Sequence, residues 1–307
     1  MRTLTIKPHM NADKRGSAFH LRLITLFLLA LVVAIPVRAD LNQKQARKVI
    51  QTMGGWSLPG NAVHIRSVSG SAENTEVTAE IEAVFRLRLF AGHWQLREIR
   101  TAADRWERLD VIAQAAKVEL PAGECDGPAH FATELTTKRA RCLVATLFGV
   151  TLPSDDVRIK EISPFGLSLG SESSALVTAL VKADFRLASD NGGWRVTGFK
   201  TGTREWFNIA DLPVAIDQVK RSAASDDLSI IAKALGDYRR DRGYFVVADK
   251  ESVLIDHLSP KYLARVIRVD PWYHPYQYEG QPDHYSLRSL GPDGKPNTPD
   301  DVVVSGP

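Results

Sequence analysis

Residues 77–89 alternate between apolar and polar side chains with a period of two. Val77, Ala79, Ile81, Ala83, Phe85, Leu87 and Leu89 fall on one side, with Thr78, Glu80, Glu82, Arg86 and Arg88 on the other. Such a run predicts a long strand that covers a core with one face and meets water with the other. The pattern returns at Val177, Ala179, Val181, Ala183, Phe185 and Leu187, set against Thr178, Lys182, Asp184 and Arg186. Ala91-Gly92-His93 and Asn191-Gly192-Gly193 predict a hairpin turn after each run. Ahead of the first run, Ala46, Val49, Ile50 and Met53 make one stripe of a helix from Asn42 to Met53, stopped by Gly54-Gly55.

These two patterns belong to a longer self-similarity. Ala46, Arg47, Thr52, Gly55, Leu58, Pro59, Val63, Ile65 and Ser69 recur 94 residues later, from Ala140 to Ser163. Val77, Thr78, Ala79, Ala83, Phe85, Arg86, Leu87, Gly92, Trp94, Thr101 and Trp106 recur 100 residues later, from Val177 to Trp206. The fold class expected is α+β, with two tandem repeats of one helix on a curved antiparallel sheet, at residues 40–120 and 121–221. A small-residue stretch, Ser222-Ala223-Ala224-Ser225, reads as a linker. Ser225 or Asp226 would cap a further helix running to about Arg242, where Gly243 stops it.

Composition changes this picture mainly at the start of the chain. Arg2, Lys7, Lys14, Arg15 and Arg22 precede the apolar run Leu23–Ile35, and Pro36-Val37-Arg38-Ala39 follows. That order describes a secretory signal peptide over residues 1–39, cleaved after Ala39. The expected location is periplasmic or secreted, with an inner-membrane anchor facing the periplasm as the alternative if the leader is retained. The whole chain carries net charge +3. Residues 1–39 hold six of the 39 basic residues and one of the 36 acidic ones, so the remainder is at −2. The basic excess lies in the leader and gives no reason to expect nucleic acid as a partner. In an oxidising compartment Cys125 and Cys142 are candidates for a disulfide; otherwise Cys142 is a small buried residue on a helix.

Catalytic patterns are weak. Gly166-Leu167-Ser168-Leu169-Gly170 matches G-x-S-x-G in form, but a strand follows it where a nucleophile elbow needs a helix. The eight histidines are scattered without metal-ligand spacing, and no phosphate-binding loop occurs. The expectation is a protein that is not an enzyme. Trp94, Trp194, Trp106 and Trp206 stand at equivalent repeat positions and read as core, and Arg86 and Arg186 as solvated.

The last third carries the most specific motif. Asp270-Pro271-Trp272-Tyr273-His274-Pro275-Tyr276-Gln277-Tyr278 is followed by Ser289-Leu290-Gly291-Pro292-Asp293-Gly294 and by Asn297-Thr298-Pro299-Asp300-Asp301. Residues 225–307 resemble the globular head of the type II secretion major pseudopilins, with Tyr273 at a family Gly and His274 at a family Asn. The resemblance implies a helix packed on a small antiparallel sheet and a calcium ion in the last loop. By that resemblance Asp293 and Asp300 are side-chain ligands, Leu290 and Thr298 carbonyl donors, and Asp301 a substitute or support for Asp300. The residues are independently suited to a hard cation: prolines and glycines bend the loop and three aspartates supply oxygens, without the EF-hand spacing. Lys14-Arg15-Gly16 resembles a prepilin peptidase site, but Leu21 stands where the family has Glu, and Pro36 would break the fibre-forming helix. The resemblance therefore implies a calcium-stabilised head with protein partners in a secretion or pilus-like assembly. Membrane contact is expected only through a retained leader. The alternative is a periplasmic protein whose repeats bind a ligand and whose head is structural.

Overall fold

The computed structural model describes residues 41–71, 74–120, 125, 134–165, 173–190 and 193–307. The leader 1–39, the G-x-S-x-G segment and the turn residues Asn191 and Gly192 lie outside the described residues.

The two alternating runs become the longest strands, β2 (Asn74–Phe90) and β6 (Ser174–Asp190), of 17 residues each. They pair antiparallel from Thr75 opposite Leu187 to Arg88 opposite Ser174. Each is long enough to hold two further partners along its other edge. β1 (Val63–Ser71) pairs the first half of β2, and β3 (His93–Arg100) pairs its second half through the turn at Ala91-Gly92. β4 (Trp106–Arg108) completes that side. Beside β6 stand β5 (Val157–Phe165), β7 (Gly193–Lys200) and β8 (Phe207–Asn208), with the same order of pairing. The result is one eight-stranded sheet that runs across residue 121. The register shifts also match, at Ile65/Ser67 and Ile159/Glu161, and at Arg86/Leu87 and Arg186/Leu187.

Helices cover the apolar face. α1 (Gln43–Gln51) begins with a capping box in which Asn42 and Gln45 bond reciprocally. α2 (Leu109–Ala116) follows β4, and α3 (Thr137–Leu147) is capped by the Thr136 hydroxyl. Ala46 and Ile50 of α1 join Val77, Phe185 and Leu187 in one cluster; Leu143 and Val144 of α3 join Phe85, Leu87 and Val177 in another. Each helix thus packs on strands from both halves. Each fully buried Leu, Ile or Phe here contributes about 1.5–3 kcal/mol. Cys125 and Cys142 are disulfide-bonded, which fastens residue 125 to α3.

The other sheet face is charged and cross-linked. Glu80 of β2 accepts from Arg66 of β1 (2.5 Å) and from Arg158 of β5 (3.1 Å). Lys160 meets Glu82 (2.5 Å), and Thr78 donates to Asp184 (2.7 Å). This face corrects two expectations. Trp94 is core, but Trp106 and Trp206 are half-buried under arginines, Arg86 at 4.4 Å and Arg186 at 3.9 Å from the ring centres. Arg86 also pairs with Glu98, and Arg186 with Glu76, so neither is simply solvated. A planar guanidinium gains both from an aromatic face and from a carboxylate, and the strand period places both within its reach.

The expected linker at Ser222–Ser225 is likewise corrected. α4 runs unbroken from Leu212 to Arg242, 31 residues, with Pro213 in its first turn and Gly243 left-handed at its end. Serine and alanine tolerate a helix interior, and Ala224 is fully buried, so packing carries the helix through. Its first half, with Leu212 and Ile216, packs on Val111 of α2. Its second half, with Leu228, Ile231, Leu235 and Tyr238, packs on α5 (Glu251–Leu258) and on a sheet ordered β11-β10-β9. Those strands are β9 (Gln277–Gly280), β10 (Tyr285–Ser289) and β11 (Val302–Gly306). The class is α+β. Among the described residues no helix is long and apolar enough to cross a membrane.

Candidate functional site

Two loops meet at the end of the small sheet. The first is organised by Asp270, whose side chain is buried. Its Oδ1 accepts from the Trp272 N–H (3.0 Å) and the His274 N–H (2.9 Å), and its Oδ2 from the Ser289 hydroxyl (2.6 Å). A buried carboxylate with three donors fixes the turn and pins it to β10. His274 then reaches the second loop, where its Nδ1–H donates to the Gly291 carbonyl (2.9 Å). Gly294 is left-handed, and a Cβ there would come within 2.9 Å of the His274 ring. Gly291 is left-handed too, and a Cβ would press to 2.6 Å against Asp300. Both glycines are required by close approach as well as by φ.

The second loop brings Asp293, Thr298 and Asp300 together. The Thr298 hydroxyl donates to Asp300 Oδ1 (2.6 Å) and lies 3.5 Å from Asp293 Oδ1 and 3.4 Å from Asp301 Oδ1. The Asp293 N–H donates to Asp300 Oδ2 (3.3 Å). The Thr298 hydrogen bond holds the Asp300 carboxyl below the usual range, so it is charged at neutral pH. Oxygens of three carboxylates thus lie within 3.5 Å of the Thr298 hydroxyl, which has a single proton to donate. Asp301 is the least available of them, because its Oδ2 accepts from the Asn297 N–H (2.8 Å) and pairs with Arg288 (3.4 Å). Leu290 sits buried at the loop's base, and the Thr298 carbonyl accepts from the Asp301 N–H (3.2 Å). Among the described residues no three His, Cys, Asp or Glu side chains are arranged to hold a metal ion. A cation here would need main-chain carbonyls as well as Asp293 and Asp300. The all-oxygen donor set fits calcium better than zinc.

The same loops also touch the large sheet, a contact that sequence reasoning missed. Tyr273 adopts φ +72° and carries its hydroxyl to Glu98 of β3 (3.2 Å). Burial first, then the Glu98 charge, pushes that phenol up to about 12. Trp272 donates from Nε1 to Asp217 of α4 (3.3 Å). Lys220 of α4 meets Glu107 of β4 at 2.7 Å, both side chains nearly out of solvent. The one available signal was the tyrosine at a position that the resembled motif gives to glycine. A left-handed backbone explains that glycine, and a bulky residue there needs a compensating contact.

Residues 213–305 match the family model described as "Type II secretion system (T2SS), protein G". The match begins in the first turn of α4 and ends in β11. The eight-stranded sheet lies outside it. Comparison with curated proteins and with solved structures finds no match.

Proposed function

We propose that this protein is an exported, non-enzymatic accessory component of a type II secretion or pilus-like assembly, docking through a calcium-stabilised pseudopilin-type head. The observation that carries the reading is the family match over residues 213–305, which coincides with α4, the small sheet and the two joined loops. The first half of α4 is already covered by α2 and held by the buried Lys220–Glu107 pair. A stem engaged in this way favours one docked head over a fibre subunit. In this reading residues 40–120 and 121–221 are copies of one module, supported by their matching registers and bulges. Calcium held by Asp293 and Asp300, with carbonyls such as those of Leu290 and Thr298 and support from Asp301, would pin the tail to β10.

Thermal unfolding of the full chain with calcium and with a chelator tests the head. A melting temperature several degrees higher in calcium, with the gain lost in Asp293→Ala, is expected; equal curves would sink the metal assignment. Cross-linking in the native cell tests the docking, which fails if no secretion component is recovered. A second reading, a periplasmic ligand-binding protein with the head as a structural cap, draws on an apolar cavity of about 160 Å³ against the large sheet.

A further inference from the structure

The cavity lies at the seam of the two halves. In the β2–β6 ladder Ile81 faces Val181, and these positions are also equivalent under the 100-residue offset. The pair therefore lies on the local twofold relation between the halves. Ile81, Ala83 and Ile99 line the cavity from one side, and their counterparts Val181, Ala183 and Phe199 from the other. Ile112 and Ala113 of α2 and Leu212 of α4 add to the wall. Trp56 and Phe148, both half-buried, also line it.

Thr201 and Arg204 of the wall bond to main-chain carbonyls. Thr201 donates its hydroxyl to the Phe148 carbonyl (2.8 Å). Arg204 donates from Nε to the Leu147 carbonyl (3.1 Å) and from Nη2 to the Leu147 (2.8 Å) and Thr146 (3.3 Å) carbonyls. A water inside would find few partners among the mainly apolar side chains. An engineered cavity of about 150 Å³ with similar walls admits benzene, so this one has room for about six carbon atoms. The alanines at 83 and 183 create much of that room, because the strand period aims both side chains at the core.

We propose that this cavity is a binding site for a small uncharged hydrocarbon group, such as the methyl end of an acyl chain. The shape demands an apolar occupant, since aliphatic and aromatic side chains make up most of the wall. The proposal stands apart from the head assignment, since calcium and hydrocarbon responses can fail separately.

The test is thermal unfolding of the full chain with benzene, with octanoate and with octanol. At a hundredfold excess over Kd, benzene should raise the melting temperature by about 5–10 °C. Ala183→Leu fills the cavity and should abolish the rise while melting no lower than the parent. Ala83→Leu provides the same reading from the other half if the first variant fails to fold. Octanoate and octanol acting alike would support recognition of the chain end alone. Co-sedimentation with phosphatidylglycerol vesicles, lost in the filled variant, would make a membrane lipid the source; octanoate binding without co-sedimentation would make it a free fatty acid. No benzene-dependent rise in the folded parent, or an equal rise in the filled variants, would overturn the proposal.

Discussion

Lys220 and Glu107 are far apart in the chain, and no local pattern marks either as special. Packed together, they form a buried ion pair at 2.7 Å between α4 and β4. Removing one partner leaves an unpaired buried charge, which costs about 3–5 kcal/mol, whereas replacing both by apolar residues is close to neutral. Lys220→Met should therefore lower stability in denaturant titration by about 3 kcal/mol, and adding Glu107→Leu should restore most of it. Equal losses in the single and double variants would argue against a buried pair. A second residue-scale effect concerns tyrosine ionisation. Burial, with Asp227 next, pushes the Tyr276 phenol up, and burial with Glu98 pushes Tyr273 up to about 12. In the unfolded chain both ionise near 10, so the native state holds these protons more tightly. The stability they contribute is complete below pH 10 and is lost as pH rises from 10 through about 12. The melting temperature should be flat to pH 9 and fall above 10, and Tyr276→Phe should flatten the fall. An unchanged slope in that variant would exclude the role.

Helix α4 is the element that decides how the head is carried. Read locally, Ser222-Ala223-Ala224-Ser225 has the composition of a linker, yet Ala224 is fully buried in the middle of a 31-residue helix. Ala224→Pro removes a helical hydrogen bond and clashes with the preceding turn, at about 3 kcal/mol or more. Ala224→Gly costs about 1 kcal/mol. The proline variant should show faster proteolysis around residue 224 and a separate melting step for the head; one unchanged cooperative transition would contradict a continuous helix. The disulfide works at this scale too. It closes a 17-residue separation in sequence, and a loop of that size contributes about 3 kcal/mol on the chain-entropy estimate.

At the scale of the whole molecule the β2–β6 seam dominates. Fourteen residues of each strand pair there, so a fragment of residues 41–120 would expose a long edge of unpaired main-chain groups. The local twofold relation at Ile81 and Val181 means that a second copy of the fragment could cover that edge with its own β2. The expected outcome is a fragment that elutes as a dimer or aggregates in light-scattering chromatography, while the full chain does not do so through this edge. A stable, well-folded monomeric fragment would show that each half holds a complete core.

Much of this was legible in one dimension. The period-two runs required β2 and β6 with the apolar face inward, because side chains alternate across a pleat. The hairpin at Ala91-Gly92 and the left-handed end of α4 at Gly243 followed from residues whose backbone preferences are local, whereas α1 ends at Gln51, short of the expected Met53, and Gly54-Gly55 belong to a separate turn after it. Asp293, Thr298 and Asp300 fall in one short motif and lie within one hydrogen-bonded loop, since a short bent segment brings its own members together. Only tertiary structure decided the rest. The merging of both halves into one sheet, the helical state of Ser222–Ser225, the stacking of Arg86 and Arg186 on Trp106 and Trp206, and the reach of Tyr273 to Glu98 each depend on partners distant in sequence. The cavity between the halves belongs to that group as well. Its walls are ordinary core residues in the sequence, and only their incomplete packing around Ala83 and Ala183 leaves space.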